Sequence, residues 1–276
     1  MKIDHEKYSS NIKDTLIVII VFVVSKLILN YQRNSPILDQ ICIQILLGII
    51  MLIITILSEG KYILGWKKGT VIYALKKSAY KIILTICIVL CIPIGSKMTL
   101  NSDTFFKIMW IMFFCASVGF FEEGLFRMVI LNAIERIFSR LDISSSKAVW
   151  ISAILFGLVH VVEYIPEIPS NPFSIILQML YKIATSGSYG LLLGFIFVKT
   201  RNIWSCMLIH ALTDFIALLP ECLYDFGASK VEYVHTDVKL SVSSLLTGLI
   251  LCLIFSIPNI VISMGISKAI KKEDLI

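Results

Sequence analysis

The sequence predicts an all-α, polytopic integral membrane protein with about eight transmembrane helices in a single domain spanning residues 1–276. Of its residues, 57% are hydrophobic and 16% are charged, and the mean hydropathy is +0.87. A soluble domain carries about 25% charged residues, so lipid is the expected solvent. Long apolar runs recur along the chain, and basic residues concentrate between them, as is typical of membrane proteins.

The apolar runs set the predicted helices, because a spanning helix needs about 20 largely apolar residues. We place membrane helices at residues 14–30, 37–57, 80–95, 104–140, 147–162, 173–198, 203–219 and 240–267. We interpret the first as a retained helix, since no small-residue cleavage site follows it. Segment 58–79 is too polar to span, and we predict that it lies on the membrane surface as an amphipathic segment.

The basic residues predict the topology. Most of them fall at the two termini, in segment 58–79 and after the fourth and sixth helices. The positive-inside rule therefore places both termini in the cytoplasm. The net charge of +6 is then a topology signal, and we expect the lipid bilayer, and no nucleic acid, as a partner. Short loops and the absence of an organellar signal favour a bacterial plasma membrane. The sequence makes no prediction of oligomeric state.

Ionisable side chains inside the predicted helices are few, and most fall into three short patterns. Each costs about 3 kcal/mol at mid-membrane on insertion scales, which makes it a functional candidate. The patterns are Glu122-Glu123-Gly-Leu-Phe-Arg127 in the fourth helix, Phe156-Gly-Leu-Val-His160 in the fifth and His210-Ala-Leu-Thr-Asp214 in the seventh. At about 1.5 Å per residue, all three reach similar depth, so we expect one hydrated cavity in the bundle core.

The spacing within the patterns predicts separate roles. Glu123 and Arg127 stand at i and i+4 in the order that favours an ion pair. Glu122 is rotated by about 100° from Glu123 and has no charge partner in its own helix. Asp214 shares a helix face with His210 and can orient its ring.

Together these groups are suited to activating water. A glutamate in apolar surroundings can act as general base and then as general acid. Two histidines can hold a metal ion or stabilise an oxyanion. Neither serine nor cysteine occurs in the three patterns, so we expect hydrolysis of an amide bond by activated water. If Zn²⁺ or another divalent metal is bound, the expected ligands are Glu122, His160 and His210.

The ordered motifs EExxxR, FxxxH and HxxxD resemble the CPBP family, which comprises the CAAX-type prenyl endopeptidases and their bacterial relatives, including bacteriocin-processing and self-immunity proteins. The resemblance covers mainly residues 104–219, the expected catalytic core. It implies an intramembrane protease acting on a peptide or membrane-protein substrate, in peptide processing or bacteriocin immunity. It also implies catalytic-site roles, with Glu122 activating water and the other positions supporting it: Glu123, Arg127, His160, His210 and Asp214.

Two other function classes are alternatives to a protease. One is a membrane immunity protein that binds a peptide without cleaving it. The other is a proton-coupled transporter with Glu122, His160 and Asp214 as a proton relay. Transporters usually show internal repeats and broken paired helices, which this sequence does not display, so we rank that class last.

Overall fold

The computed structural model describes residues 35–59, 65–66, 68–91, 101–224 and 242–273, together with Ile19, Ile20 and Val23. Its helices are α1 (Ile37–Glu59), α2 (Lys68–Cys91), α3 (Thr104–Glu123), α4 (Asn132–Arg140), α5 (Ser145–Val159), α6 (Pro172–Thr200), α7 (Ile203–Leu223) and α8 (Val242–Glu273). A π-helical segment, Gly124–Leu131, joins α3 to α4, and a 3₁₀ segment, Val162–Ser170, follows α5. The elements of these ranges are all helical, which confirms the predicted fold class.

The membrane character of the bundle is confirmed as well. Within the described ranges, five helical segments are long and apolar enough to span a bilayer: Ile37–Leu57, Thr104–Arg140, Pro172–Thr200, Ile203–Leu223 and Val242–Lys272. A sixth candidate is Ser145–Val159 taken with Val162–Ser170, which are bent by 50° relative to each other. These six match six of the predicted spans. The predicted helix at 14–30 lies outside the described residues except for Ile19, Ile20 and Val23.

The second half of the predicted surface segment at 58–79 is helical and continuous with the next predicted span. Residues 68–79 form the first half of α2 and continue without a break into residues 80–91, where a span was predicted. The lysines of this half suggested a polar surface, yet Val71, Ala74 and Ser78 form a buried stripe at helical spacing. α2 also joins the bundle through Asn202 Nδ2, which donates to Thr70 Oγ1 at 2.6 Å.

Helix α6 lies in the middle of the bundle. Every residue from Ser188 to Phe197 is buried, and α6 packs against both α5 and α8. Helix α3 packs against α7, and α1 packs against α3. The outer faces of α1 and α8 carry exposed apolar side chains, such as Leu57 and Val261, as expected of helices that contact acyl chains.

Glycines allow two close helix contacts beside the predicted site. A Cβ at Gly119 in α3 would lie 2.9 Å from the carbonyl oxygen of Met207 in α7. A Cβ at Gly157 in α5 would lie 2.6 Å from the carbonyl oxygen of Ile183 in α6. Small residues let membrane helices approach at backbone distance. Both glycines lie within about one turn of site residues, so these contacts set how closely the acidic and imidazole side chains approach.

Candidate active site

The six residues singled out by the sequence come together in one cluster inside the bundle. Helix α3 ends with Glu122 and Glu123, and the π-helical segment that follows carries Arg127. His160 directly follows α5. Helix α7 supplies the remaining two, His210 and Asp214. Four separate elements therefore contribute side chains to one site.

The change to π-helical hydrogen bonding begins directly after the two glutamates. All eight residues of Gly124–Leu131 are buried, so neighbouring helices pack against every side of this segment. The predicted span 104–140 is one continuous helical segment, Thr104–Arg140, with a local change of helical register at Gly124–Leu131. Such π segments occur frequently at functional sites, because they re-aim side chains within an otherwise continuous helix.

Glu122 lies between the two imidazoles. Its Oε2 atom is 3.8 Å from His160 Nε2 and 3.7 Å from His210 Nε2. These separations exceed a direct hydrogen bond but suit a polar contact bridged by water. The same Oε2 atom is buried and has no hydrogen-bond partner within the described part of the chain. An unpaired buried carboxylate oxygen is costly, so the arrangement favours a water molecule at this position.

The tautomer of His160 is fixed from its own helix. Its Nδ1 atom lies 2.7 Å from the carbonyl oxygen of Phe156. A carbonyl only accepts, so Nδ1 carries the proton and Nε2 presents a lone pair towards Glu122. The spacing of the FxxxH motif thus has a physical meaning, since the carbonyl four residues earlier orients the ring. The Phe156 ring also packs against His160, with 4.6 Å between the ring centroids.

His210 is held from behind by Glu123, which differs from the sequence prediction. Its Nδ1 donates to Glu123 Oε1 at 2.8 Å, while Arg127 Nε donates to Glu123 Oε2 at 2.9 Å. Glu123 and Arg127 are fully buried. The predicted ion pair is present, and it also orients His210. This second contact has no signal in the sequence, because Glu123 and His210 are 87 positions apart.

Asp214 occupies the other side of the His210 ring. Its Oδ2 atom is 3.4 Å from Nε2, the nitrogen that also faces Glu122. We predicted that Asp214 orients the His210 ring. Asp214 contacts Nε2 of that ring, whereas Nδ1 is bound by Glu123. Because Nε2 faces two carboxylates, it is placed to donate a hydrogen bond into the cavity. The Asp214 side chain is 34% exposed, compared with 4% for His210, so Asp214 lies at the cavity rim.

Two aromatic residues complete the surroundings, and neither was predicted to have a role of its own. The guanidinium carbon of Arg127 lies 5.4 Å from the centroid of the Phe156 ring, within cation–π range. The Tyr189 ring stands nearly perpendicular to that of His210, at 5.7 Å. Tyr189 donates to Thr213 Oγ1 at 3.1 Å, which ties α6 to α7 beside the site. A lone buried tyrosine gives no distinctive sequence signal.

The conditional metal site is not assembled at coordination distances among the described residues. Within the described ranges, no group of three His, Cys, Asp or Glu side chains is placed to hold a metal ion. Around a tetrahedral zinc, ligand atoms lie about 3.4 Å apart, given bonds of about 2.1 Å. Here Glu122 Oε2 lies 3.7 and 3.8 Å from the two imidazole nitrogens. The described side chains supply a carboxylate base, an imidazole acceptor and an imidazole donor.

Comparison with known proteins bears on the part of the chain that carries the site. Residues 104–216 match the family model of the type II CAAX prenyl endopeptidase Rce1-like proteins. CAAX prenyl protease 2 of Saccharomyces cerevisiae is 28% identical over 97 residues, which cover 34% of this chain and 31% of the yeast protein. The chain thus matches about a third of that relative's length. Both findings confirm the resemblance predicted from the three motifs: segment 104–216, which contains all six site residues, is similar to the Rce1-like CAAX prenyl endopeptidases.

Proposed function

We propose that the protein is an intramembrane endopeptidase in which Glu122 activates the water molecule that attacks the peptide bond. The observation that carries the proposal is the position of Glu122 Oε2, which is buried, lies between two imidazole nitrogens and has no hydrogen-bond partner among the described residues. The similarity of segment 104–216 to CAAX prenyl endopeptidases supports the same class of reaction.

The first step is addition of water. The water donates one hydrogen bond to Glu122 Oε2 and the other to the lone pair of His160 Nε2. As the oxygen attacks the carbonyl carbon, Glu122 takes the proton, and the carbonyl π electrons move to its oxygen. His210 Nε2 donates a hydrogen bond to that oxyanion, whose charge it stabilises in a cavity of low dielectric. Glu123 and Arg127 hold the ring in place for this step.

The second step is cleavage. Glu122, now protonated, transfers its proton to the leaving nitrogen as the C–N bond breaks, and the products are a carboxylic acid and an amine. No covalent bond to the protein forms. One glutamate therefore acts first as base and then as acid, which requires it to remain close to both the water and the scissile nitrogen.

The proposed substrate is a peptide, and its sequence is left open. A peptide that enters the membrane is required, because the site lies inside the bundle. A prenylated CAAX peptide is the first candidate, given the name of the yeast relative. Peptide processing or bacteriocin immunity is the proposed biological role. We further propose a bacterial plasma membrane, cytoplasmic termini, and one membrane domain with its catalytic core at residues 104–219.

The test is cleavage by purified protein in lipid nanodiscs, followed by mass spectrometry of prenylated CAAX peptides and of a hydrophobic peptide library. Glu122→Gln preserves side-chain size but removes the base, so we expect turnover to fall by about 10²- to 10⁴-fold. Glu167→Gln, at an exposed glutamate of the 3₁₀ segment, is the matched control and should keep wild-type activity.

The same assay separates the alternatives. A peptide that binds the wild-type protein and is never cleaved would favour the non-enzymatic immunity protein. Full cleavage by a correctly folded Glu122→Gln variant would show that another group activates the water, and the proposal would be wrong.

A further inference from the structure

One cation beside the site is not used by the proposed reaction. Lys81 of α2 places its Nζ atom 3.9 Å from the ring centroid of Phe255 in α8. The same atom lies 5.4 Å from the ring centroid of Tyr189, the residue that packs against His210. The ammonium group is therefore separated from the catalytic imidazole by a single aromatic ring.

The Lys81 ammonium has unused hydrogen-bonding capacity. An ammonium carries three N–H donors. In the described part of the chain its contacts are two aromatic rings, and no carboxylate lies within ion-pair distance of it. Aromatic faces hold a cation in position by electrostatic attraction while leaving its hydrogen-bond donors available. Such a group is ready to bind an anion.

The surrounding charges place this cation on the Asp214 side of the cavity. Lys81 interacts electrostatically with Asp214 and with Lys182 of α6. Lys182 in turn interacts with Asp214, with Glu122 and with Glu163 of the 3₁₀ segment. Since Glu123 is already paired with Arg127, two lysines face two site acids. A bound carboxylate would thus meet two ammonium groups that offset the charges of Asp214 and Glu122.

We infer that Lys81, with Lys182 nearby, forms a subsite that binds a carboxylate of the peptide substrate next to the catalytic water. This inference rests on the proposed function and specifies the substrate further. We assign the anion to the peptide because the ammonium lies against Tyr189, and the Tyr189 ring packs on His210 in the site. Lys81 lies outside the segment matched by the family model, whereas Lys182 lies within it.

The simplest rival explanation is that Lys81 only compensates the charge of Asp214. The two explanations differ in what they predict for the substrate. Charge compensation affects every peptide equally, whereas a carboxylate subsite discriminates between a free acid and an amide of the same shape. The carboxylate can be the C-terminal group of the peptide or an acidic side chain, and separate peptides can distinguish these.

The experiment measures binding, so that it does not depend on turnover. The Glu122→Gln protein in nanodiscs is titrated with a fluorescent prenylated CAAX peptide as the free acid and as the C-terminal amide. A second pair carries Glu or Gln as the last residue of an amidated peptide. For the carboxylate source that the site recognises, we expect the acid to bind about 10- to 100-fold more tightly than its amide, as for loss of a hydrogen bond to a charged group.

The variants assign this preference to the lysine. Lys81→Met should abolish the difference between acid and amide, and Lys81→Arg should retain most of it. Lys76→Met, at an exposed lysine of the same helix, should leave it unchanged. Equal binding of acid and amide by the unsubstituted Lys81 protein would overturn the inference, and so would a Lys81→Met variant that weakens both peptides by the same factor.

The outcomes also separate this inference from the proposed function. If wild-type protein prefers acids but cleaves none of the peptides, the endopeptidase proposal fails and the subsite remains. If it cleaves acid and amide peptides with equal efficiency, the endopeptidase proposal holds and the subsite is refuted.

Discussion

The buried contacts of Glu123 allow stability and catalysis to be separated by a double-mutant cycle. Glu123 accepts from Arg127 Nε at 2.9 Å and from His210 Nδ1 at 2.8 Å, and both charged residues of the ion pair are fully buried. Arg127 Nη1 and Nη2 have no hydrogen-bond partner among the described residues, so Glu123 provides the main compensation for its charge. Glu123→Gln turns that acceptor into an amide and leaves a buried guanidinium uncompensated.

The expected magnitude follows from this geometry. Breaking a buried ion pair by removing one partner costs about 3–5 kcal/mol. We therefore expect Glu123→Gln and Arg127→Met each to lower stability by about that amount. The double variant removes both charges and should recover much of the loss, because no unpaired charge remains. The coupling energy between the two substitutions should therefore be larger than the deviation of about 0.5 kcal/mol that independent sites show from additivity.

Activity should not recover with stability. In the double variant, His210 Nδ1 faces a neutral amide in place of a carboxylate, so the ring is held less firmly. Loss of a carboxylate that orients a functional histidine costs about 10- to 100-fold. The assay combines thermal unfolding in detergent with peptide cleavage of the same preparations. Additive losses of stability in the double variant, or full activity in it, would refute the role assigned to Glu123.

Three further perturbations test other parts of the site. Gly119→Ala places a Cβ 2.9 Å from the Met207 carbonyl oxygen. This crowding should lower the stability measured by thermal unfolding by about 1–3 kcal/mol. Gly265→Ala is the control and should leave stability unchanged, because a Cβ at Gly265 would have no atom within 4 Å. His160→Phe removes the lone pair that faces Glu122 and should reduce kcat by about 10²-fold or more, with a smaller effect on KM; an unchanged kcat would exclude His160 from water binding. Treatment with EDTA or 1,10-phenanthroline should leave the cleavage rate unchanged, since no metal-binding group is assembled among the described residues; loss of activity that Zn²⁺ restores would contradict a reaction carried by side chains alone.

Local spacing predicted the parts of the site that lie within one helix. The pair Glu123 and Arg127 follows from i, i+4 geometry, and its distance of 2.9 Å agrees with that prediction. The convergence of three helices could be expected from the depth of their ionisable residues. The depth of a residue along its helix does not show in which direction around the helix its side chain points. The contact between Glu123 and His210 therefore could not be predicted from the sequence.

Helix α2 shows where composition misleads. Lysines at its start suggested a surface segment, but one face of the helix carries small buried residues, and α2 packs against α7. The same bias concealed Lys81, which counts as a topology signal in the sequence and lies beside the site in the structure. A long side chain carries its charge far from its backbone position, so its place along the sequence does not reveal where the charge lies.

The central claim is that Glu122, His160 and His210 surround a single water molecule. An experimental structure of the wild-type protein in lipid, at a resolution that shows ordered solvent, tests it most directly. We predict a water oxygen about 2.6–3.2 Å from Glu122 Oε2 and from His160 Nε2, with His210 Nε2 facing the same cavity. A density feature bound by all three side chains at about 2.0–2.2 Å, as a metal ion would be, or a Glu122 side chain turned towards lipid, would contradict the account.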